Sequence, residues 1–466
     1  MEVFESFIGW LGGIVWGPPI LALVLLGGAY ISFRLKFLQI TKFPHYIDQT
    51  FMSLFKKKSD GKAAGDISPF QALNTAMSGT MGVGTLAGTA TAIAVGGPGA
   101  VFWMWVCAFF GITTKFAEAT LAVHYRKKNE KGEILGGPFL YIERGLGLKW
   151  LAKIFAACGA LAAFGIGNMV QSNTASSALE TAFGIPPLVS GIGAAILIGL
   201  VLLGGIKRIG SVAEKIIPSL ALICIVSSIA IVLVNIAYVP TAFGYIFAGA
   251  FSTQGAVGGF AGSAVLMAIR MGFARGIFSN EAGLGSAPIA HAAAKVDHPV
   301  KQGFWGAFEV FLDTHIMCTL IALVILTTGV WTEINPATGA AFTGAPLVMA
   351  AFSSSFLGET FGSMLMAFLI ATFGFTTILG WGFYGEKCLE YLTGAKTNLL
   401  YRIAFIPAII AGALFSLNLV WDIADVLNGL MFIPNMIGVI ALAGTVAALT
   451  NSYFNGEKYV PPTDNK

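Results

Sequence analysis

The placement of lysine and arginine constrains this chain more than any other feature. Apolar stretches recur at about residues 10–33, 68–95, 99–123, 151–182, 187–205, 212–238, 262–294, 301–328, 358–384, 399–418 and 424–450. A helix that crosses a bilayer needs roughly 20 such residues. Of the 27 basic residues, 24 lie after an odd-numbered stretch, the tail included, and the connections after even-numbered stretches carry none. Only Lys115, Arg270 and Arg275 lie deep inside an apolar stretch, away from these basic connections and their edges. Basic connections stay on the cytoplasmic side, so the N-terminus is expected outside and the C-terminus inside. A wrong count of crossings would mix the two sets, so the separation itself argues for about eleven transmembrane helices.

Composition agrees. Of 466 residues, 56% are hydrophobic and 11% charged, against about 25% charged in soluble domains, and the mean hydropathy is +0.79. An ordinary soluble globule, a disordered chain and a nucleic-acid binder are excluded. Cys107, Cys158, Cys224, Cys318 and Cys388 stand singly, with no CxxC or Cys/His cluster to suggest disulfides or zinc. Residues 1–33 hold no basic residue; a secretory signal wants one ahead of its apolar run, so the first stretch is expected to be retained. Ile134–Gly147 is amphipathic and expected on the inner face, and 240–260, rich in Gly and Phe, suggests a short external half-helix.

A repeat underlies the pattern. Shifted by 201 residues, Gly82-Val83-Gly84-Thr85 falls on Gly283-Leu284-Gly285-Ser286, Ala90-Thr91-Ala92 on His291-Ala292-Ala293, and Pro98 on Pro299. With eleven crossings these two stretches run in opposite senses. Glycine-interrupted segments in opposed orientation point to a transporter built from inverted repeats. The expected units are 1–67, an added N-terminal helix and basic loop; 68–238, the first repeat; 239–450, the half-helix and second repeat; and 451–466, a cytoplasmic tail.

The second stretch carries Gly79, Gly82, Gly84 and Gly88 within Ser78–Gly88. Each weakens a helix by roughly 1 kcal/mol relative to Ala. Unwound backbone survives in a membrane only when buried or lining a cavity, where freed N–H groups can hold a carboxylate and freed carbonyls a cation. Tight packing through small residues is the plainer alternative; Gly84 and Gly88 fit it, but Thr80 and Thr85 do not need it. In the seventh stretch Gly283, Gly285 and Pro288 interrupt a segment holding Phe278, Ser279, Asn280 and Glu281. A carboxylate at mid-bilayer is functional by default, or else it neutralises Arg275 or Arg270. Asn168 and Gln171 lie in the fourth stretch, Thr372, Thr376, Thr377 and Trp381 in the ninth, and Glu309 and Asp313 share a face of the eighth. The threonines either ligate an ion or bond back to their own helix. Lys115 and Glu118 are expected to pair structurally. His45, His124, His291, His298 and His315 show no ligand spacing, and no P-loop occurs.

At Gly96-Gly-Pro-Gly-Ala-Val-Phe-Trp-Met-Trp-Val-Cys-Ala-Phe-Phe-Gly111 the chain resembles the alanine/glycine:cation symporter family, the sodium:alanine symporters. The likeness extends through Thr114–Leu121, Gly165–Gln171, Gly205–Arg208, Phe278–Ala293 and Thr377–Trp381, clearest over about 70–395. It implies an all-α polytopic membrane protein with a LeuT-like fold, a 5+5 inverted repeat with one extra N-terminal helix. It also implies sodium-driven uptake of alanine or glycine. By that likeness the amides from Gly79 through Thr80 and Gly82 to Gly84 take the substrate carboxylate. Asn168, Gln171, Asn280 and Thr377 complete the site, and Phe278 and Trp381 limit side-chain size. One sodium lies between the Ser78 and Met81 carbonyls and the Thr376/Thr377 pair, with the Phe373 carbonyl nearby. Where members commonly read GTGN this chain reads Gly82-Val-Gly-Thr85, a hydroxyl in place of an amide oxygen, which speaks against a second sodium at Thr85.

The expectation is a sodium-coupled symporter in the cell membrane, working by alternating access on a small neutral amino acid, with the bilayer as its surroundings and no obligatory protein partner. A proton-coupled or exchange-type carrier on the same fold, with Glu281 or Asp313 carrying the proton, is the rival. A channel wants a ring of ligands from several subunits, and an enzyme a nucleophile–base or two-metal spacing that this chain lacks.

Overall fold

The computed structural model describes residues 2–55, 64–251, 261–336, 339–415 and 417–462; Lys56, Lys57, Lys58, Lys62, Lys466 and the 252–260 part of the expected half-helix lie outside them. The chain is a polytopic membrane protein whose regular elements, among the described residues, are helices apart from a hairpin pairing Lys127–Lys128 with Ile134–Leu135. Among the described residues eight helices are long and apolar enough to cross a membrane: Ser6–Arg34, Gly99–His124, Lys149–Phe183, Gly205–Val234, Pro299–Thr328, Glu359–Thr393, Ala395–Leu414 and Ile423–Ala441. Each occupies one of the apolar stretches. The remaining three stretches are Pro187–Leu202, a helix of 16 residues, and the two glycine-rich segments, both broken. Leu197, Leu200, Leu222, Val226, Phe361 and Phe368 stand exposed on the outside of the bundle, a surface that only lipid would cover without penalty.

The two broken helices lie side by side and run in opposite directions. At one end, where the 127–135 hairpin sits, the Asp66 and Ile67 amides donate to the Ala293 carbonyl and the Lys295 amide to the Ile67 carbonyl. In the middle, a Cβ on Gly84 would lie 2.7 Å from Phe278 Cδ1, and at the far end one on Gly96 would lie 2.8 Å from Met271 Cβ. The proline repeat has a structural counterpart. Pro98 and Pro299 each start the unbroken helix that follows a broken one, where a missing N–H is harmless.

The hairpin end is closed by one side chain. Arg126 donates from Nη1 to the Ala292 and Ala294 carbonyls (2.7 and 2.6 Å) and from Nη2 to that of Ala64 (2.8 Å). It thus ties the approach to the first broken helix to the exit of the second. Nearby, Lys387 pairs with Glu390 at 2.8 Å, and Arg402 grips Glu386 through two nitrogens. At the far end the Ser6–Arg34 helix packs on Leu417–Ala441, with Trp16 Nε1 donating to the Asp425 carbonyl at 3.0 Å.

One segment departs from the sequence-based expectation. Ile134–Gly147 does not lie on a face: Phe139, Leu140, Tyr141 and Ile142 are fully buried. The hairpin turns the segment inward, where Phe139 stacks on Tyr391 and the Tyr141 hydroxyl donates to Asn435. Within the 240–260 stretch a helix forms over Val239–Phe251, and its Phe251 packs on Phe102 and Trp103.

A charge-assisted hydrogen bond contributes about 2 kcal/mol, so Arg126→Ala should release this end locally. Amide exchange at Ile67 and Lys295 is expected to speed by roughly 30-fold while the helix content by circular dichroism stays unchanged. Unaltered protection at those two amides would show that Arg126 does not hold the closure.

Candidate functional site

Each break is made by glycines and then stitched by side chains from other helices. The first broken helix starts in a capping box, Ser68 with Gln71, and runs to Thr80. The path then turns: the Gly82 amide reaches back only to the Thr80 carbonyl (2.9 Å), and the Thr85 amide to that of Gly82 (3.2 Å). The chain resumes as a wide π-type turn over Gly84–Gly88. The Val83 amide has no helical acceptor and takes Gln171 Oε1 at 3.2 Å. Gln171 is held for this by its own amide nitrogen on the Ile166 carbonyl (2.9 Å), freed because Gly165–Met169 is itself a wide turn. Gly82 is required here, since a Cβ would meet Thr377 Oγ1 and stand 3.2 Å from Gln171 Oε1.

The second break is longer. The helix ends at Asn280, and Glu281 (φ +54°), Gly283 (φ +90°) and Gly285 (φ +78°) all adopt left-handed backbone before the chain restarts at Pro288. A non-glycine residue there is uncommon, and Glu281 is locked by its side chain. Trp381 Nε1 donates to Oε1 at 2.7 Å and the Ser286 hydroxyl to Oε2 at 2.5 Å. Asn280 Oδ1 accepts from the Ala282 amide (2.9 Å), and its Nδ2 donates to Thr314 (3.1 Å). The Gly283 amide goes to Glu118 Oε1 at 3.1 Å, and its carbonyl accepts from Asn435 Nδ2 at 2.7 Å.

The sequence-named residues are sorted by these contacts. Gln171, Thr377, Gly79, Gly82 and Gly84 meet at the first break, and Phe278, Asn280, Glu281 and Trp381 at the second. Asn168 is not brought to either: its Nδ2 donates to the Phe405 carbonyl at 2.7 Å, on the Asn398–Leu414 helix. Thr376 and Thr377 both donate to the Phe373 carbonyl at 2.9 Å, which is back-bonding, yet each hydroxyl oxygen keeps lone pairs for a cation. Ser78 Oγ and Thr80 Oγ1 likewise bond back, to Thr75 and Met77. All of these side chains, and Met81, are buried; the site is shut from both ends.

The expected ion pairs are re-partnered. Arg275 does not neutralise Glu281. It pairs with Asp425 at 3.1 Å and lies over the rings of Trp421 (5.0 Å) and Phe278 (5.5 Å), which stack on each other at 5.0 Å. Lys115 does not pair with Glu118. Its ammonium sits 3.5 Å from Glu309 Oε1, while Glu309 Oε2 meets His291 Nε2 at 2.8 Å. Trp421, Asp425 and Asn435 were not singled out from the sequence. Asn435 could have been, as one of two amides, with Asn428, deep in an apolar stretch.

Set against known proteins, residues 1–463 match the sequence model of the sodium:alanine symporter family. An uncharacterized transporter of Haemophilus influenzae is 45% identical, over 97% of this chain and 96% of its own length. The sodium/alanine symporter AgcS of Methanococcus maripaludis is 45% identical over 97% of each chain. A probable sodium/glutamine symporter of Bacillus subtilis, GlnT, is 37% identical over 98% of this chain and 92% of its own length.

Gly167 backs directly onto Trp381, and a Cβ there would stand 2.9 Å from Trp381 Cδ2. Overpacking of this kind destabilises by about 1–3 kcal/mol, so Gly167→Ala should lower the thermal midpoint in detergent. Gly193→Ala, in a helix interior with open space around it, should leave it unchanged or slightly higher. Equal midpoints for both variants would show that Trp381 is not seated by Gly167.

Proposed function

The chain belongs to the sodium:alanine symporter family, and from that premise we propose that it imports alanine or glycine down the sodium gradient by alternating access. The observation that carries this reading is the pair of antiparallel broken helices whose gaps face each other, ringed by buried polar side chains. The family places such a protein in a membrane; the distribution of basic residues supports the cell membrane with the hairpin end cytoplasmic. The matched prolines and opposed directions support a LeuT-like arrangement of two inverted five-helix repeats, over 68–238 and 239–450, behind an added first helix.

In this reading the zwitterion lies between the breaks. Its carboxylate takes the amides between Gly79 and Gly84, with Thr80 and Gln171 alongside, and its ammonium faces Asn280, Thr377 and the Glu281–Trp381 pair. One sodium is held by the Ser78, Met81 and Phe373 carbonyls and the hydroxyls of Thr376 and Thr377, all hard oxygen ligands. Bound ion and amino acid fix the unwound strands, and that favours exchange of one closed end for the other. Arg275, Asp425, Phe278 and Trp421 form the outer closure and Arg126 the inner one. Phe278 against Gly84 and Trp381 against Gly167 leave room for a small side chain only, although one Bacillus relative carries the name of a probable sodium/glutamine symporter. A proton-coupled reading has one observation in its favour: among the described residues no ion pair is made to the buried Glu281.

Purified protein in liposomes should take up labelled alanine with an imposed sodium gradient and not with choline; uptake indifferent to sodium would overturn the coupling. Thr377→Val should raise the half-saturating sodium concentration by about tenfold, the loss of one ligand hydroxyl. Phe278→Ala and Trp381→Ala should admit larger neutral amino acids, seen as competition of alanine uptake by glutamine. An unchanged competition profile would remove both from the size filter.

A further inference from the structure

At the hairpin end a basic cavity opens beside the lipid-facing surface. It measures about 480 Å³, within the roughly 300–1,000 Å³ of ordinary ligand pockets. Three segments wall it: the 127–135 hairpin, the start of the Lys149–Phe164 helix, and the end of Glu359–Thr393 with the turn at Gly394 and Ala395. Two contacts hold these walls together. Asn129 Nδ2 donates to Glu390 Oε1 at 2.7 Å, and Lys131 Nζ to the Ala395 carbonyl at 3.4 Å. The hollow is built into the fold.

Its lining carries Lys127, Lys128, Lys149 and Lys153 against Glu130, Glu143 and Glu390. Two of the carboxylates already have cations. Glu390 lies 2.8 Å from Lys387, and Glu143 lies 3.6 Å from Lys149. Among the described residues no ion pair is made to Lys127, Lys128 or Lys153. Three lysines thus face Glu130 alone, and like charges gathered in a cavity favour a bound anion.

The helix that supplies two of the lysines says which anion. Trp150, Ile154, Ala157 and Leu161 are exposed along one face of it, spaced by four, three and four residues. Lys149 and Lys153 stand at the hairpin end of this apolar stripe. Trp150, 62% exposed, lies between, as aromatic residues do at the edge of the hydrocarbon. A soluble phosphate would fill the cavity and leave the stripe unused. A phospholipid uses both, and basic pockets between helices at a membrane edge suit anionic headgroups.

We propose that this cavity binds the headgroup of an anionic glycerophospholipid, with its phosphate among Lys127, Lys128 and Lys153 and an acyl chain along Trp150, Ile154 and Leu161. The headgroup joins the hairpin to the two helices beside it. Arg126, which closes this end, directly precedes Lys127, so the lipid steadies the strand next to that closure. The site does not depend on the symporter reading.

Tryptophan quenching by brominated lipids tests it, with the full-length protein in phosphatidylcholine vesicles. The quenching that is lost in Trp150→Phe reports lipid at this site. In the wild type that part should favour brominated phosphatidylglycerol over brominated phosphatidylcholine, and added salt should lessen the preference. A lysine near an anionic headgroup is worth about fivefold, so Lys153→Gln should cut the preference about that much. Gln at 127, 128 and 153 together should abolish it, and Arg at all three should keep it. A preference equal in the wild type and the triple Gln variant overturns the site, as does the absence of any quenching that depends on Trp150. Millimolar glycerol 1-phosphate should not displace the lipid; if it does, the cavity serves a soluble phosphate and the lipid assignment falls.

Discussion

Every backbone group that leaves a helix inside a bilayer must find a partner within the protein, and the architecture follows from meeting that demand at two adjacent places. Lipid offers no hydrogen bonds, so each break draws side chains from helices far away in sequence. Gln171 answers Val83, Glu118 and Asn435 answer Gly283, and Asn280 answers Ala282. Remove the breaks and these buried amides and carboxylates would themselves be orphans. Breaks and polar side chains therefore stabilise one another, and neither could be retained alone.

Charge is handled with the same economy. Glu118, Glu281, Glu309 and Asp313 are all buried, and Lys115 is the buried lysine among them. An uncompensated ion in such surroundings carries a penalty of several kcal/mol. Glu281 and Glu118 are eased by neutral donors, Glu309 by Lys115 and His291, and Asp313 by three hydroxyls. Neutral donors lessen a charge without cancelling it. Among these described residues at the centre of the bundle, buried carboxylates thus outnumber buried basic groups.

Much of this was legible in the sequence, for identifiable reasons. Helix positions followed from apolar length and from the segregation of basic residues, because both are set by the bilayer. The breaks followed from Gly82, Gly84, Gly283, Gly285 and Pro288, which act locally. Partnerships did not follow. Arg275 reaches Asp425 and Lys115 reaches Glu309, choices made by packing between helices rather than by spacing along one. The wide turns at 84–88, 165–169 and 311–318 were equally hidden, since a one-residue insertion in a helix leaves no compositional trace. They rotate the residues around Asn168 and Asp313 away from the faces that a regular helix assigns. The burial of 139–142 was missed because an amphipathic pattern cannot say whether water or another helix meets its polar side.

The Arg126 guanidinium bonds to carbonyls belonging to both broken rods at once. Parting the two rods breaks either its single bond to Ala64 or its pair to Ala292 and Ala294, and the guanidinium stays with the side it keeps. The seam between the two rods at this end thus hangs on one side chain that comes from neither of them.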